Sequence, residues 1–484
     1  MPVADTRIHV SSETDRLHRV LVHSPDSGLG RVVPSKAQDW LFEDIVHLDT
    51  IRRKEYDYYV KLLLYFLDPA RIKGKLAHID DPASNRNFFK PGHPDFYGSD
   101  RVIELQVLLA DLLRDPSIRN QLVAAVCALE ACSYDVQMRL LGYSPDDLAR
   151  VFLSGTHNES EMIFPPIPNF IFTRDIGTVI NGHILLNRPM KEARKREALI
   201  AKYIFFHHPM FAACRGKIIE LNESQHRFLL PAEEQVPPAT LEGGDVMVVS
   251  PDHVLIGVSE RTTREAAAQA VNLLFEHNVV TKVTVVEIPA KRDYMHIDTV
   301  FTQAKRNVWV LLGEFSSTRA QGLTGDDVGR ALGLQPGAAA ITQITQFVKG
   351  KSGPPRRFAS VEELLVDVSV ADLGCDPKDV KIVLSGHGIF PYDAREQWTD
   401  SCNVLALRDG VVLGYDRNDK TEEAFKAIGF ELVCVEDLLQ ELESGERQVD
   451  ELEDVLVLMP SAELSRARGG FHCMSMPLLR GDFG

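Results

Sequence analysis

The stretch from Glu242 to Gly257, EGGDVMVVSPDHVLIG, holds an acidic residue, an apolar run, a polar turn and a second apolar run. This order is typical of a β-hairpin. Three further stretches have the same plan and begin at Asp175, Asp298 and Asp400. Two of their turns contain Asn-Gly or Asp-Gly, whose residues accept the positive φ of a tight hairpin. The sequence therefore predicts four copies of one hairpin unit.

Helices are predicted after two of the hairpins. Thr262 to Glu265 has the spacing of a capping box and precedes an apolar run that ends at Phe275, and residues 421–428 look similar. Each unit is thus predicted as strand, strand, helix, strand, which must pack against its copies to bury its apolar face. A fifth unit from the two termini, with strands at 19–22 and 474–476, would close a ring.

Two regions depart from the repeat. Residues 50–150 are predicted to be helical, because Leu105, Leu108, Leu109 and Leu112 fall on one helical face. Residues 315–375 contain a basic stretch at 349–357 with a Gly-Lys-Ser triplet. This triplet lacks the earlier glycine of a phosphate-binding loop and is followed by two prolines, so we do not predict nucleotide binding.

The composition argues against several classes of protein. A net charge of −16 is unsuited to nucleic-acid binding, which needs a basic surface. We expect no membrane span and no secretory signal, since no apolar run is long enough. The seven cysteines include no CxxC pair, which argues against a disulfide framework or a structural zinc site. The expected location is therefore the cytoplasm, with reduced thiols.

The acidic starts of the units supply the candidate chemistry. In a ring of units, Asp175, Glu242 and Asp298 would converge on one cavity, which suggests a cationic ligand or a metal. His296 lies two residues before Asp298, so a strand would place both side chains on one side. The carboxylate would then favour the protonated imidazole.

One of the seven cysteines has a setting that favours reactivity. Two glycines lie shortly before Cys473, and Arg468 and His472 are its cationic neighbours in sequence. We expect these cations to lower the pKa of the Cys473 thiol.

Motifs along nearly the whole chain resemble the arginine deiminase family of guanidino-modifying enzymes. The matching pieces are Pro168 to Asp175, Glu242 to Val246, Ser259 to Thr262, His296 to Phe301, Arg395 to Trp398 with Asn403, Tyr415 to Asn418, and Arg468 to Pro477. Segments 20–25 and 41–45 also fit. One motif alone would be weak, whereas the ordered set is specific.

The resemblance implies an α/β fold, namely a five-bladed α/β propeller of ββαβ repeats with an inserted helical bundle. The propeller would comprise residues 1–50 and 155–484, the helical domain 51–154, and a further insertion 315–375. Family members commonly associate, so a homo-oligomer is expected. No metal or other cofactor is expected.

The resemblance also implies residue roles for the hydrolysis of free L-arginine to L-citrulline and ammonia. Asp175 and Asp298 would grip the guanidinium, and the Cys473 thiolate would attack its carbon to form a thiouronium intermediate. His296 would protonate the leaving ammonia and then activate water, and Glu242 would orient His296.

Five more residues are expected to bind the substrate. Arg194 and Arg261, with Asn169, would bind the carboxylate, which favours free arginine over agmatine or a peptide. Phe172 would pack along the aliphatic stem, and Arg468 would contact the substrate beside the nucleophile.

Three alternatives remain open. A related guanidino-modifying enzyme would transfer the amidino group or deiminate a modified arginine. A metal-dependent hydrolase would use His296, Asp298, His472 and Cys473. A catalytically silent arginine-binding protein would bind without turnover.

Overall fold

The strands lie in five separate sheets in the part of the chain that the computed structural model describes, residues 6–37, 39–40, 42, 44–158, 161–222, 238–316 and 342–481. They are β1 (Leu17–Val22), β2 (Val102–Glu104), β3 (Gly177–Ile180), β4 (His183–Leu186), β5 (Ile218–Ile219), β6 (Val246–Ser250), β7 (His253–Val258), β8 (Lys282–Glu287), β9 (Phe301–Lys305), β10 (Val308–Leu311), β11 (Gln343–Val348), β12 (Arg356–Phe358), β13 (Lys381–Leu384), β14 (Leu405–Arg408), β15 (Val411–Tyr415), β16 (Glu431–Cys434), β17 (Val455–Met459) and β18 (Met476–Arg480).

The main α-helices are Asp57–Leu67, Leu105–Leu112, Pro116–Leu129, Tyr134–Leu141, Pro145–Ser154, Lys195–His207, Arg264–Glu276, Val361–Asp367, Tyr392–Trp398, Asp419–Ala427 and Val435–Ser444. Within the described ranges, none of the helices combines the length and the apolar character needed to cross a lipid bilayer. The protein therefore has a mixed α/β fold with several sheets.

The four predicted hairpins are confirmed. β3 pairs antiparallel with β4, β6 with β7, β9 with β10 and β14 with β15. Asn181 and Gly410 in their turns have φ values of 50° and 76°. The second strand of each hairpin then pairs parallel with β5, β8, β13 or β17, and a helix lies between the two. The first and second units are therefore strand, strand, helix, strand, whereas β11 and β12 intervene in the third unit, and β16 and a second helix intervene in the fourth.

One helix begins later than the capping-box spacing predicted. The N-cap of Arg264–Glu276 is Thr263, whose side chain accepts a hydrogen bond from the Ala266 N–H. The Thr262 hydroxyl instead accepts the Glu242 N–H at 3.2 Å. The predicted cap residue therefore fixes the backbone at the acidic start of β6.

The two termini form a fifth sheet, as predicted, but with a third strand. β1 pairs antiparallel with β18 and parallel with β2. β2 lies inside the range predicted as a helical domain, 51–154, so that range is not wholly helical. The carboxylate of Glu104 at the end of β2 holds the His23 ring at 2.8 Å and the Ser24 N–H at 3.0 Å. These contacts anchor the segment to the chain that follows β1.

The helices of residues 51–154 pack in two different places. Asp57–Leu67 contacts Val435–Ser444 and belongs to an apolar cluster with the fourth unit. Leu105–Leu112 and Pro116–Leu129 instead contact Lys195–His207 of the first unit. The segment therefore packs against helices of two different units.

The predicted insertion at 315–375 is described only from residue 342 onward, apart from its first two residues. β11 pairs with β8 and β12 with β11, so both strands extend the sheet of the second unit. The Gly-Lys-Ser triplet lies in the turn between β11 and β12 rather than before a helix. Residues 41 and 43 of the N-terminal motif lie outside the described residues.

Candidate active site

The acidic starts of three units lie in short helical turns directly before the first strand. Thr173–Ile176 precedes β3, Gly243–Asp245 precedes β6, and Ile297–Thr299 precedes β9. Asp175, Glu242 and Asp298 are all buried there. This shared local geometry brings residues from distant parts of the sequence to one place.

Nine of the ten residues predicted for the site line one small cavity. They are Asn169, Phe172, Asp175, Arg194, Glu242, Arg261, His296, Arg468 and Cys473. The tenth, Asp298, lies behind the nucleophile and accepts a contact from the Cys473 thiol, with Sγ 3.4 Å from Oδ2. The candidates thus form a single site.

The Cys473 thiol is buried and faces carboxylates. Its backbone N–H donates to the Asn403 Oδ1 atom at 3.0 Å, which fixes the residue that carries the sulfur. Burial, Asp298 and Asp175 raise its pKa well above the ordinary value. The predicted net lowering of this pKa by Arg468 and His472 is therefore wrong, because burial and the two carboxylates outweigh these cations. The His472 ring does not act on the thiol directly because it is bonded to Asp298 at 2.9 Å.

His296 is held in its cationic form. Its Nε2 lies 3.0 Å from Glu242 Oε2, and its Nδ1 lies 4.0 Å from Asp298 Oδ1. Burial opposes the charge, but Asp175 and Glu242 outweigh it and raise the pKa of His296 to about 10. A Cβ at Gly244 would come 2.4 Å from His296 Nδ1, so only glycine fits there.

Arg194 lies between two of the acids. Its Nη1 donates to Asp175 Oδ2 at 2.8 Å and to Glu242 Oε2 at 3.1 Å, and its Nε donates to Glu197 at 2.9 Å. Arg261 is more distant, with Nη1 3.9 Å from Glu242 Oε1. A protein guanidinium therefore contacts the carboxylates that were predicted to orient and grip a substrate guanidinium.

The remaining cavity has a volume of about 30 Å³. This is room for water but not for an amino acid. Side chains must therefore move before a ligand of that size can enter, and Arg194 is the one that occupies the carboxylates.

The other three predicted residues lie at the edge of the cavity. Asn169 donates to the Trp40 carbonyl at 2.8 Å. The Phe172 ring packs so closely on Gly469 that a Cβ there would lie 2.3 Å from it. Arg468 has a left-handed backbone, with φ of 62°, and stacks on Trp398.

Comparisons with known proteins show the family of the chain. The arginine deiminase family model matches residues 141–480. The chain belongs to the arginine deiminase family. The arginine deiminase of Borrelia recurrentis is 30% identical over 485 residues, covering 98% of each chain. That of Listeria monocytogenes serotype 4b is 27% identical over 504 residues, again covering 98% of each. A solved amidinotransferase of saxitoxin biosynthesis from Microseira wollei is 13% identical, with 99% and 98% coverage and a TM-score of 0.47.

Several residues in this arginine deiminase family site were missed by the sequence reasoning. Glu13 contacts the far side of the His472 ring at 3.3 Å and pairs with Arg174 at 2.6 Å. Asp245 holds the Ile297 N–H at 2.9 Å and so fixes the turn beside His296. The EGGD motif contained a signal for Asp245, and Asn403 was noted without a role. Nothing in the local sequence marked Glu13.

Among the described residues, one group could hold a metal ion in this deiminase-family site. Asp175, Glu242 and His296 offer ligand atoms within 4.8 Å of one another. The group does not fit a resident metal well, because Arg194 already donates to both carboxylates and His296 is cationic. The same charges suit a planar organic cation that replaces Arg194.

Proposed function

We propose that this protein hydrolyses free L-arginine to L-citrulline and ammonia. The observation that carries the proposal is the meeting of the Cys473 thiol, the His296 imidazole and three carboxylates around one cavity. The family membership of the chain and the names of its relatives support the same activity.

The substrate guanidinium is bound by Asp175 and Asp298, in the place of the protein guanidinium. When it enters, Arg194 leaves Asp175 and Glu242 but keeps its Nε contact with Glu197. The terminal N–H groups of the Arg194 guanidinium then bind the α-carboxylate of the substrate, together with Arg261 and Asn169. Phe172 packs along the aliphatic stem, and Arg468 contacts the substrate beside the thiol.

The bound cation also activates the nucleophile. Burial and the carboxylates raise the pKa of the Cys473 thiol, and a guanidinium bound between the carboxylates offsets their charge. The Cys473 thiol loses its proton to solvent, and the thiolate adds to the central guanidinium carbon. His296 gives a proton to the leaving nitrogen, which departs as ammonia and leaves a cysteine-bound thiouronium. Neutral His296 next takes a proton from water, which attacks the same carbon and releases citrulline and the thiolate.

We further infer that the five sheets are blades of a five-bladed α/β propeller, formed by residues 1–50 and 155–484. Residues 51–154 are an insertion, and its strand β2 belongs to the sheet formed by the two termini. Residues 315–375 are a second insertion, within the propeller. The pairing of β1 with β18 supports a closed ring, since it joins the two ends of the chain. We expect a cytoplasmic homo-oligomer.

The alternative is a related guanidino-modifying activity, amidino transfer or deimination of a modified arginine. Rates of citrulline formation from arginine and from methylated arginines distinguish the two deiminations. Formation of a new guanidine on an added amine acceptor would indicate amidino transfer. Two arginines near the carboxylates, Arg194 and Arg261, favour a substrate with a free α-carboxylate.

The first test incubates the protein with L-arginine and measures citrulline and ammonia, beside a Cys473→Ala variant. Wild type should form both products in equal amounts, and the variant should lose about 10⁴-fold or more in kcat. Cys402→Ala, at a buried thiol away from the cavity lining, is the matched control and should stay active. Normal turnover by Cys473→Ala would contradict the proposal.

A chelation test addresses the metal-dependent alternative. We expect turnover to be unchanged after dialysis against a strong chelator, because no step uses a metal ion. Loss of activity that returns on adding a divalent cation would favour the alternative.

A further inference from the structure

A second cavity, of about 620 Å³, lies beside the catalytic one. Trp398 lines it, and Arg468, which lines the catalytic cavity, stacks on the Trp398 ring with its Cζ 3.6 Å from the centroid. Asp293 also lines the second cavity, and its carbonyl accepts from Arg468 Nη2 at 3.5 Å. Arg468, Trp398 and the Asp293 backbone therefore form a shared wall between the two cavities.

Charged groups of both signs line this outer cavity. Asp293 and Glu314 supply carboxylates, and Arg395 and Arg417 supply guanidinium groups. The Tyr294 hydroxyl donates to Glu314 and holds that carboxylate in place. The Arg395 side chain is exposed. A ligand with both a carboxylate and a cationic group matches this lining.

Aromatic surface is available beside these charges. Trp398 is 43% exposed although Arg468 covers part of its ring. A planar cation stacks favourably on the face of an indole. The volume of the cavity also lies in the range of ordinary small-molecule sites, roughly 300–1,000 Å³.

The geometry indicates what the residues of the motif from Arg395 to Trp398 do. Glu396 accepts the backbone N–H groups of Lys420 and Thr421, and Gln397 donates to the Asp293 carbonyl. These two middle residues fix the helix end to its surroundings. Arg395 and Trp398 line the cavity together with Gln397.

We propose that the outer cavity is a second binding site for a free amino acid with a cationic side chain, the class to which the proposed substrate belongs. The inference rests on the proposed function. Arg395 and Arg417 bind the α-carboxylate, Asp293 and Glu314 bind the α-ammonium group, and the side-chain cation stacks on Trp398. Since the catalytic cavity is too small to admit arginine directly, the outer site holds the substrate next to the wall that the two cavities share.

The test titrates L-arginine into Cys473→Ala protein by calorimetry. We expect two molecules bound per chain in that background, and one when Arg395→Gln is added. Arg114→Gln, at an exposed arginine in the helical segment, is the matched control and should leave two. Glu314→Gln, which keeps the shape of the side chain, provides a second variant and should also remove the outer site.

A kinetic measurement on the otherwise wild-type chain gives an independent outcome. Arg395→Gln should lower kcat/KM by about 3- to 10-fold through KM and leave kcat unchanged, as expected for the loss of one ion-pair contact. One bound arginine in Cys473→Ala, or two in the Arg395→Gln and Glu314→Gln variants, would overturn the outer site. The proposed function is tested separately, by citrulline formation in wild type. If wild type forms citrulline, that function is supported even when the outer site is rejected, and if it forms none, that function is rejected.

Discussion

Asp298 and Asp400 each precede the first strand of a unit, and both are buried near Cys473, yet their surroundings differ. Asp298 is bonded to the His472 ring at 2.9 Å and to the Cys473 thiol. Among the residues that the structure describes, none donates a hydrogen bond of normal geometry to either carboxylate oxygen of Asp400. Burial acts against ionisation in both, but the His472 contact holds the pKa of Asp298 below its usual value.

The pKa of Asp400 is shifted in the opposite direction. Burial dominates and raises its pKa to about 7, with only partial compensation from the charge of Arg468. The repeat therefore sets where an acid lies, and the partners that other segments bring set its charge. Two acids at corresponding positions are thus suited to different tasks, one to binding a cation and the other to remaining largely neutral below pH 7.

The largest effect on activity is expected from an Asp-to-Asn change at Asp298, compared with the same change at Asp400. Asp298→Asn should lower kcat by about 10²- to 10³-fold, because it removes a charge aimed at the guanidinium and the partner of the thiol. The same change at the corresponding position, Asp400→Asn, should cost less than about 10-fold. Initial rates of citrulline formation at saturating arginine measure both. Equal losses would mean that position in the repeat, rather than partners, decides function.

A smaller effect is expected when the partner of Asp298 is removed. His472→Asn leaves the Asp298 charge uncompensated beside the thiol, so the pKa of Cys473 rises further. We expect kcat/KM to fall by about 10- to 100-fold, the range typical of residues that support a functional group. The limb of the pH profile that reports thiol ionisation should also move to higher pH.

The control for His472→Asn is His253→Asn. His253 is a buried histidine that also pairs with a carboxylate, Asp372, at 2.7 Å, but away from the site. Its loss should affect thermal stability without moving the pH profile. An unshifted profile in His472→Asn would show that this histidine is only structural.

The contrast also shows how far the sequence can predict the site. The four hairpins were predictable because turn dipeptides and apolar runs are local signals. Eight of the nine cavity-lining residues lie in the motifs that follow the family order, and Arg194 was implied by the resemblance without a motif of its own. The direction of the Cys473 pKa shift was predicted wrongly, because it depends on Asp175 and Asp298 from other units rather than on its sequence neighbours.

Other features could not be predicted for the same reason. Glu13 lies 459 positions from the His472 ring it contacts, and no local pattern reports such a pairing. Arg194 was expected to face a carboxylate ligand, whereas in the structure it pairs with Asp175 and Glu242. Buried charges are paired within the protein, and no local pattern shows which partner they find. β2 was missed because three residues are too few to show a strand period.

Asp400→Asn should have the smallest effect on activity and a clear effect on thermal stability. Because the pKa of Asp400 is raised from 3.8 to about 7 on folding, the folded state holds this proton more tightly than the unfolded state. The stability that Asp400 contributes to wild type therefore falls as pH rises from about 4 to 7, and the loss of this contribution is complete above that window. Asp400→Asn lacks this titration. Its Tm relative to wild type should rise by about 2–4 °C between pH 5 and pH 8.

Asp298→Asn should behave differently in the same measurement. A carboxyl with a lowered folded pKa contributes stability above its unfolded value, and loses it only as pH falls through the folded one. The variant should therefore melt below wild type by a nearly constant margin from pH 5 to pH 8. Parallel curves for the two variants would contradict the assignment of opposite charge states to Asp298 and Asp400, because the same Asp-to-Asn change would then remove the same titration at both positions.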